Sequence, residues 1–350
     1  MSTQLETTVA SADSATVDLT YREAICAALA DEMIRDDAVL LMGEDVAEAG
    51  GVFKTSEGLV ERFGRERVRN TPICENGFIG VALGLAVTGF RPVVEVMFSD
   101  FLPTAGDAIV NELPKFRFMS GGQCSVPVTV RSIGGSSGRF GTQHSATGES
   151  WYMALPGLKV VTAGTPDSAY SLLRAAIRDD DPVLFFEHRG LYGRKAPVDR
   201  SESNVAEVGK ARVVNEGTDV TIVATLMMLD RALQAAMRLQ EGEGISAEVV
   251  DLRWLRPLDE ETVQRSLART GRLVIVEEQL HDAGWGASLV SRLARSGSLP
   301  VGSTRVLSLP DHLLVPYTPL LEDALVPSVE KIVESAREAA EADPSRTPGS

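Results

Sequence analysis

The sequence predicts an α/β protein of two tandem domains, each with a mainly parallel sheet that helices cover. The chain has 350 residues, which at roughly 150 residues per domain corresponds to about two domains. In both halves, short and almost uninterrupted apolar segments alternate with segments of helical periodicity. Such strands are typical of parallel sheets that are buried on both faces. A polar, proline-containing stretch without periodicity at residues 193–209 separates the two halves and is predicted to be the linker.

The first domain is predicted at residues 18–192. Residues 1–17 form a Ser/Thr/Ala-rich stretch without apolar periodicity, and we expect this tail to be disordered. The first helix is predicted at about residues 20–35. Its start carries a capping-box pattern, in which Thr20 is followed three residues later by Glu23.

A second helix start is equally well marked, with Thr165 as the cap and Pro166 as the first helical residue. A helix predicted at about residues 103–119 contains Pro114, which predicts a kink or a break there. The remaining predicted elements are strands at residues 39–42, 92–97, 126–131, 158–162 and 183–187 and a helix at residues 77–87 that is rich in Gly and Ala.

The second domain is predicted at residues 210–342 and repeats the alternation of strand and helix. Asp259 and Glu260 stand at the start of one helix, where acidic residues interact favourably with the helix dipole. The Pro- and Ser-containing residues 343–350 are expected to be a disordered tail. The predicted elements are strands at residues 220–224, 247–252, 273–277 and 305–309 and helices at about residues 229–241, 259–270, 285–296 and 328–341.

Composition excludes several classes of function. With 34 basic and 49 acidic residues the net charge is −15, which argues against nucleic acid and anionic membranes as partners. The longest apolar run, residues 78–87, is too short to span a membrane. The three cysteines are widely spaced without a CxxC pattern, which predicts free thiols in a reducing cytoplasm.

One short motif suggests a hydrolase. Residues 134–138 (GGSSG) match the GxSxG pattern of a nucleophile elbow and follow a predicted strand. The helix that should come next is absent, because residues 139–144 are interrupted by glycine. A flexible glycine loop that lets a ligand approach the backbone is therefore favoured over a catalytic serine.

Two titratable residues are candidates for chemistry. Glu75 lies where an extended stretch meets the small-residue helix, so it is either a helix-start charge or a functional acid with a shifted pKa. His144 follows a short stretch rich in Gly and Ser, so it is either an acid–base residue or a surface histidine. Other side chains near predicted strand ends, where parallel sheets bind ligands, are Phe98, Phe101 and Tyr152.

Seven segments together carry a resemblance to a known family. They are, in order, residues 71–77 (TPICENG), 91–101 (RPVVEVMFSDF), 118–122 (FMSGG), 143–145 (QHS), 156–161 (PGLKVV), 175–183 (AAIRDDDPV) and 251–259 (DLRWLRPLD). The set resembles the β subunit of the thiamine-diphosphate-dependent 2-oxoacid dehydrogenase E1 component, and it covers about residues 18–340. This family includes pyruvate, branched-chain and acetoin dehydrogenases. The resemblance implies a transketolase-like pyrimidine-binding domain followed by a transketolase C-terminal domain.

The resemblance also implies roles for individual residues. Glu75 matches the glutamate that hydrogen-bonds the aminopyrimidine ring nitrogen of the cofactor, and Phe101 matches the aromatic residue that packs against that ring. His144 matches the active-site histidine near the thiazolium ring. The positions that match a structural monovalent-cation site, such as one for K⁺, are Val128, Ala176, Ile177, Asp179 and Asp181. Without the resemblance, the acidic residues 179–181 would be interpreted as a solvated turn.

Some positions depart from the family pattern. Thr104 stands where pyruvate enzymes carry Gln, Cys74 where Ser is common, and Ser132-Ile133 where Gly-Pro is usual. The chain also lacks the Gly-Asp-Gly sequence with which these enzymes hold Mg²⁺ and the diphosphate. The resemblance therefore implies an α subunit that supplies this half of the site in an α2β2 heterotetramer.

The expected activity is decarboxylation of a 2-oxoacid followed by acyl transfer to a lipoyl-bearing E2 acyltransferase. Acetoin dehydrogenase β subunit and a transketolase-like aldehyde transferase split over two chains remain alternatives. A non-catalytic scaffold that binds E2 through its C-terminal domain is less favoured, because a scaffold has no need of Glu75 and His144.

Overall fold

The computed structural model describes residues 16–136 and 138–342. The strands are β1 (Thr16–Thr20), β2 (Val39–Gly43), β3 (Val68–Asn70), β4 (Arg91–Val96), β5 (Thr129–Gly134), β6 (Lys159–Thr162), β7 (Val183–His188), β8 (Lys195–Asp199), β9 (Arg212–Asn215), β10 (Val220–Ala224), β11 (Ala247–Asp251), β12 (Trp254–Arg256), β13 (Leu273–Leu280) and β14 (Thr304–Leu309). The α-helices are α1 (Tyr21–Arg35), α2 (Leu59–Phe63), α3 (Glu75–Val87), α4 (Leu113–Met119), α5 (Glu149–Met153), α6 (Pro166–Arg178), α7 (Leu226–Glu243), α8 (Glu260–Thr270), α9 (Trp285–Arg295), α10 (Pro319–Leu325) and α11 (Val329–Glu341).

Six strands of the first domain and β12 of the second form a seven-stranded sheet in the order β12-β6-β7-β5-β4-β2-β3. All neighbours pair in parallel except β12, which is antiparallel to β6. Three buried charged side chains on neighbouring strands of this sheet contact each other. Arg131 on β5 donates hydrogen bonds to Glu95 on β4 at 2.9 Å and to Glu187 on β7 at 2.7 Å. Such a buried group persists because both carboxylates pair with one guanidinium.

The second half forms a five-stranded sheet in the order β14-β13-β10-β11-β9. Here β9 is antiparallel to β11 and the other neighbours are parallel. The two mainly parallel sheets confirm the predicted α/β class.

Local capping signals predicted the helix starts correctly. Thr20 and Glu23 form the capping box at the start of α1. Thr165 caps α6, with Pro166 as its first residue. Asp259 caps α8 through the backbone N–H of Thr262.

The predicted linker contains a strand. β8 lies within residues 193–209 and pairs in antiparallel fashion with β1, so that Thr16 is opposite Asp199. Thr16 and Val17 of the predicted tail are therefore ordered in β1, whereas residues 1–15 and 343–350 lie outside the described residues. Both strands alternate apolar and polar residues, but each is only five residues long, and together they form a two-stranded ribbon apart from both larger sheets.

The helix predicted at residues 103–119 is divided into three pieces. A 3₁₀ helix spans Ser99–Ala105, a π-helical segment spans Ala108–Glu112, and α4 begins at Leu113. Pro114 lies in the first turn of α4, where its missing N–H costs no hydrogen bond, so the proline marks a new helix start.

No helix among the described residues is both long enough and apolar enough to cross a membrane. Cys26, Cys74 and Cys124 are free thiols, as the sequence predicts. Burial raises the pKa of the Cys26 thiol to about 11.

Candidate active site

Glu75 is the first residue of α3. The N-cap residue, Cys74, gives no side-chain hydrogen bond to the helix. Glu75 is therefore a negative charge in a first turn whose backbone N–H groups have no side-chain cap. The side chain is half-buried, while the other face of α3 packs into the core through Phe78 and Ile79. This position suits a helix-start charge and also leaves the carboxyl accessible to a ligand.

A second carboxylate lies near Glu75. Glu44 follows β2 directly, and its pKa is raised by partial burial and by the negative charges of Glu75 and Asp45. The sequence analysis did not select Glu44. Glu44 could have been selected because it directly follows a strand predicted to be buried and parallel, and ligands bind at the carboxyl ends of such strands.

The outer face of α3 has no partner within the described part of the chain. Gly80 and Gly84 are exposed, and a Cβ built on either would have no described atom within 4 Å outside the local backbone. Apolar side chains flank these glycines, with Ile73 82% and Val81 54% exposed. Exposed apolar side chains together with small residues are suited to close contact with another chain.

Phe101 and His144, which are 43 positions apart in the sequence, lie side by side. The His144 ring meets Phe101 edge-on with centroids 5.5 Å apart, and it meets Phe98 in the same way at 4.7 Å. Phe98 and Phe101 also contact each other at 5.8 Å. The half-buried imidazole is therefore held by two aromatic rings at the carboxyl end of β4.

His144 belongs to a segment that we name the glycine loop, residues 134–136 and 138–148. Ser99 donates a hydrogen bond of 2.5 Å to the carbonyl oxygen of Ala146, and Asp100 accepts one of 3.2 Å from its N–H. Burial raises the pKa of Asp100, although this hydrogen bond and the nearby His144 act in the opposite direction. The loop is thereby attached to the segment that carries Phe101.

Arg189 also holds the glycine loop. Its guanidinium donates to the carbonyl oxygens of His144 at 3.0 Å and Gly135 at 3.1 Å, and it lies over the Phe140 ring at 4.0 Å. Burial lowers the pKa of Arg189. Sequence reasoning missed this residue, although its place immediately after the strand β7 was a usable signal.

The GxSxG resemblance to a hydrolase is not supported. The Ser136 hydroxyl donates to the carboxylate of Glu278 and is not paired with a histidine. A 3₁₀ turn at Thr142–His144 follows later, in place of the helix that a nucleophile elbow requires.

The positions that depart from the family pattern have different environments. Thr104 is exposed and donates to the carbonyl oxygen of Phe101 over 2.7 Å, and Cys74 is exposed. Ser132 is buried and donates to the Val96 carbonyl oxygen over 3.1 Å. Tyr152 is buried against Phe186 and belongs to the core.

Three of the five predicted cation-site residues, Ile177, Asp179 and Asp181, contact two basic side chains. The carbonyl oxygens of the other two, Val128 and Ala176, accept backbone hydrogen bonds. Arg91 donates to the carbonyl oxygens of Ile177 at 3.2 Å and Asp179 at 3.0 Å. Lys159 pairs with the carboxylates of Asp179 at 2.6 Å and Asp181 at 3.1 Å. Arg91 and Lys159 compete with a bound cation for these oxygens, and the cation site stays a prediction. Among the described residues, no group of three or more His, Cys, Asp or Glu side chains could hold a metal ion.

Two cavities border the interface between the two sheets. One of ≈ 1100 Å³ is lined by residues of α4, α5, β12 and α9, among them Phe118 and Trp285. Asp181 of the predicted cation site also lines it, whereas Glu75, Phe101 and His144 do not. The other, of ≈ 340 Å³, adjoins the glycine loop and includes Asp100, Thr142 and Leu314.

Comparison with family models finds two domains. Residues 17–195 match the transketolase pyrimidine-binding domain, and residues 209–332 match the transketolase C-terminal domain. Glu75, Phe101 and His144 all lie in the first of these.

Among curated proteins, the chain is 42% identical to pyruvate dehydrogenase E1 component subunit beta-2, mitochondrial, of Oryza sativa subsp. japonica, over 95% of this chain and 90% of that one. It is 40% identical to the pyruvate dehydrogenase E1 component subunit beta of Rickettsia conorii, over 92% and 98%. It is also 40% identical to the acetoin:2,6-dichlorophenolindophenol oxidoreductase subunit beta of Cupriavidus necator, over 91% and 96%.

Among solved structures, the chain is similar to a split-gene transketolase described as an inactive beta4 tetramer. The TM-score is 0.74 at 25% identity, and the match covers 92% of this chain and 98% of that chain.

Proposed function

Because the chain belongs to the transketolase-like family of E1 β subunits, we propose that it is the β subunit of a 2-oxoacid dehydrogenase E1 component. Together with an α subunit, the enzyme decarboxylates a 2-oxoacid and transfers the acyl group to the lipoyl group of E2. The observation that carries this proposal is the adjacency of Phe101 and His144 at the carboxyl end of β4, with their rings 5.5 Å apart. Similarity to the curated subunits over nearly the whole chain supports it independently.

The residues of this chain fit one half of thiamine diphosphate, the cofactor of the family. Glu75 offers a half-buried carboxyl beside an exposed apolar surface, and Phe101 offers an aromatic ring. When bound, the cofactor supplies the carbanion-stabilising centre that makes decarboxylation of a 2-oxoacid possible. Glu75 holds a proton at its carboxyl oxygen and exchanges it with the aminopyrimidine ring nitrogen. Phe101 packs against the same ring.

His144 is the proposed acid–base residue for the reaction with the lipoyl group. Two edge-on aromatic contacts orient the imidazole, and the partial exposure of the side chain leaves it accessible to a substrate. An imidazole can both donate and accept a proton, which an acid–base residue must do.

The α subunit is proposed to bind the exposed face of α3. Gly80 and Gly84 let a partner backbone approach, and the apolar surface of Ile73 and Val81 becomes buried in the complex. The absence of a Gly-Asp-Gly sequence from this chain supports placing the Mg²⁺ and diphosphate ligands in the α subunit. The assembly is then an α2β2 heterotetramer that delivers acyl groups to a lipoyl-bearing E2.

Three further details belong to the proposal. A monovalent cation such as K⁺ binds among the oxygens near Asp179. The enzyme works in the cytoplasm, which the three free thiols support. The branched-chain 2-oxoacids are included among the substrate candidates.

Acetoin dehydrogenase is the second candidate function. The chain is as similar to the Cupriavidus subunit as to the Rickettsia one, with 40% identity to each. Thr104 also replaces the Gln of pyruvate enzymes. In that case the complex cleaves acetoin without decarboxylation.

Co-expression with a matching α subunit tests the proposal. The purified complex should reduce lipoyl groups on an E2 lipoyl domain in the presence of pyruvate or a branched-chain 2-oxoacid, and only with thiamine diphosphate and Mg²⁺. If the complex turned over acetoin but neither pyruvate nor a branched-chain 2-oxoacid, the second candidate would be established. An assembled complex that binds E2 but turns over none of these substrates would instead identify a scaffold, and transfer between sugar phosphates would identify a transketolase.

A further inference from the structure

We propose that Glu278, in the second domain, is a positioning residue for His144 in the first. The proposal rests on the proposed function, because it concerns the acid–base role of His144. Glu278 lies on β13, is almost completely buried, and directs its carboxylate out of its own domain toward the glycine loop.

Both carboxylate oxygens of Glu278 contact first-domain residues. Oε1 accepts from the backbone N–H of Ser136 at 3.0 Å and from the Ser136 hydroxyl. Oε2 lies 2.8 Å from Nε2 of His188. Charged hydrogen bonds that replace water in this way are stronger and more specific in direction than neutral ones.

His188 is fixed in one tautomer by a second contact. The backbone N–H of Gly190 donates to Nδ1 of His188 at 3.0 Å, so Nδ1 is an acceptor. The proton of the neutral imidazole is then on Nε2, which donates to Glu278. Burial alone would raise the pKa of Glu278, but its contacts with His188 and Ser136 hold that pKa at about 2. These contacts favour the ionised carboxylate, which accepts all of its hydrogen bonds.

The same cluster fixes the loop on both sides of His144. Ser136 lies on the N-terminal side, and the hydroxyl of Thr147, on the C-terminal side, donates to the backbone carbonyl oxygen of Glu278. Arg189, next to His188, donates to the carbonyl oxygen of His144 itself. A Cβ on Gly135 would lie 2.0 Å from Nε2 of His188, so the loop backbone packs directly on this imidazole.

The neighbouring Glu277 supplies a matched control. It is also buried on β13, but its carboxylate accepts from the N–H of Gly286 at 2.8 Å and from Ser308 at 2.9 Å, all within the second domain. Glu277→Gln and Glu278→Gln therefore make the same chemical change one residue apart, and only the second reaches the glycine loop.

The experiment uses the complex assembled with the α subunit. In Glu278→Gln the amide has one acceptor oxygen, so either Ser136 or His188 loses its partner. We expect hydrogen–deuterium exchange of residues 138–148 to become about tenfold faster, because a charged buried hydrogen bond is lost. We also expect kcat for lipoyl acylation to fall about tenfold, with KM for the 2-oxoacid changed less than about twofold. Glu277→Gln should leave loop exchange and kcat at the wild-type values.

A double-mutant cycle distinguishes positioning from general structural support. If Glu278 acts through His144, Glu278→Gln should reduce kcat no further in an enzyme that already carries His144→Ala. Should Glu278→Gln prevent folding, Ser136→Ala removes only the hydroxyl contact and should give a smaller increase in loop exchange in the same residues.

The proposal would be overturned if loop exchange and kcat of Glu278→Gln equalled those of Glu277→Gln. It would also be overturned if Glu278→Gln reduced kcat by the same factor in the His144→Ala enzyme as in the wild type. If the wild-type complex turns over neither a 2-oxoacid nor acetoin, the proposed function fails. The exchange experiment still determines whether Glu278 positions the loop.

Discussion

The ring of His144 meets the ring of Phe101 edge-on, with 5.5 Å between the centroids and 85° between the planes. An aromatic edge-on contact orients the imidazole without using a hydrogen bond. The histidine can therefore be held in a fixed direction while its ring nitrogens remain available to donate or accept a proton.

Replacing Glu75 with Gln should separate a functional acid from a helix-start charge. The variant keeps the shape of the side chain but cannot move a proton, so exchange of the C2 proton of bound thiamine diphosphate should slow by about 10²–10⁴. NMR in deuterated water measures this exchange. Glu260→Gln, at the first position of α8, is the matched control for a helix-start charge. Wild-type exchange in a correctly assembled Glu75→Gln complex would show that Glu75 is structural.

Replacing His144 with Ala should reduce kcat for acylation of the E2 lipoyl domain by about 10²–10⁴, because the acid–base group is lost. The α subunit should still bind, since His144 is not on the exposed face of α3. His281, which is exposed in a loop, is the matched histidine, and His281→Ala should keep wild-type activity. If the two variants were equally active, His144 would be a surface histidine without a catalytic role.

Replacing Gly84 with Leu should weaken assembly with the α subunit, because the added side chain fills the space that the partner backbone needs. Overpacking of this kind typically costs about 1–3 kcal/mol, which is roughly a five- to 150-fold loss of affinity. Analytical ultracentrifugation of the mixed subunits measures it. Gly242→Leu, at an open helical position in α7, is the control. Unchanged affinity in Gly84→Leu would place the α subunit on another surface.

Potassium should stabilise the complex if the oxygens near Asp179 bind a cation. A ligand at 100 times its dissociation constant stabilises the folded state by about 2.7 kcal/mol. The midpoint of thermal unfolding should then be higher in KCl than in choline chloride at the same ionic strength. Equal midpoints would mean that Arg91 and Lys159 already satisfy these oxygens.

Replacing Glu149 with Gln should stabilise the protein above neutral pH. Burial raises the pKa of Glu149 to about 7, and the charges of Glu278 and Glu277 act in the same direction. The folded state therefore binds more protons than the unfolded state between about pH 4.5 and pH 7. Stability falls by up to about 1.4 kcal/mol per pH unit as pH rises through that range.

Denaturant unfolding of wild type and Glu149→Gln at several pH values measures this loss, which should be smaller in the variant because Asp251 and Glu277, whose pKa values burial also raises to about 7, still contribute. Glu61→Gln, at an exposed position in α2, is the control and should keep the wild-type pH dependence. Parallel pH profiles for wild type and Glu149→Gln would contradict the assignment.

Helix starts could be predicted from the sequence because a cap is a local interaction. Thr20 with Glu23 and Thr165 with Ser168 act within a single turn, so their pattern is visible in a few residues. The pairing of β1 with β8 joins two short segments that are far apart in the chain, and no local pattern specifies that these two strands pair with each other.

The candidate site could be predicted in part. Glu75, Phe101 and His144 were selected from motifs, and their roles stay predictions that the experiments above test. Arg189 and Glu278 were not selected, because their importance comes from tertiary contacts with the glycine loop. A buried glutamate on a strand is indistinguishable by sequence from its neighbour Glu277, whose contacts stay within its own domain.

The antiparallel pairing of Trp254–Arg256 with β6 means that the later half of the chain supplies an edge strand to the earlier sheet. If the polypeptide were severed in the linker, the N-terminal fragment would expose the hydrogen-bonding edge of β6, and free edges of this kind invite aggregation. Recombination that exchanged the two domains at the linker would separate β6 from its partner. The two domains of this protein are therefore interchangeable between relatives only if the three residues of β12 suit the sheet that they join.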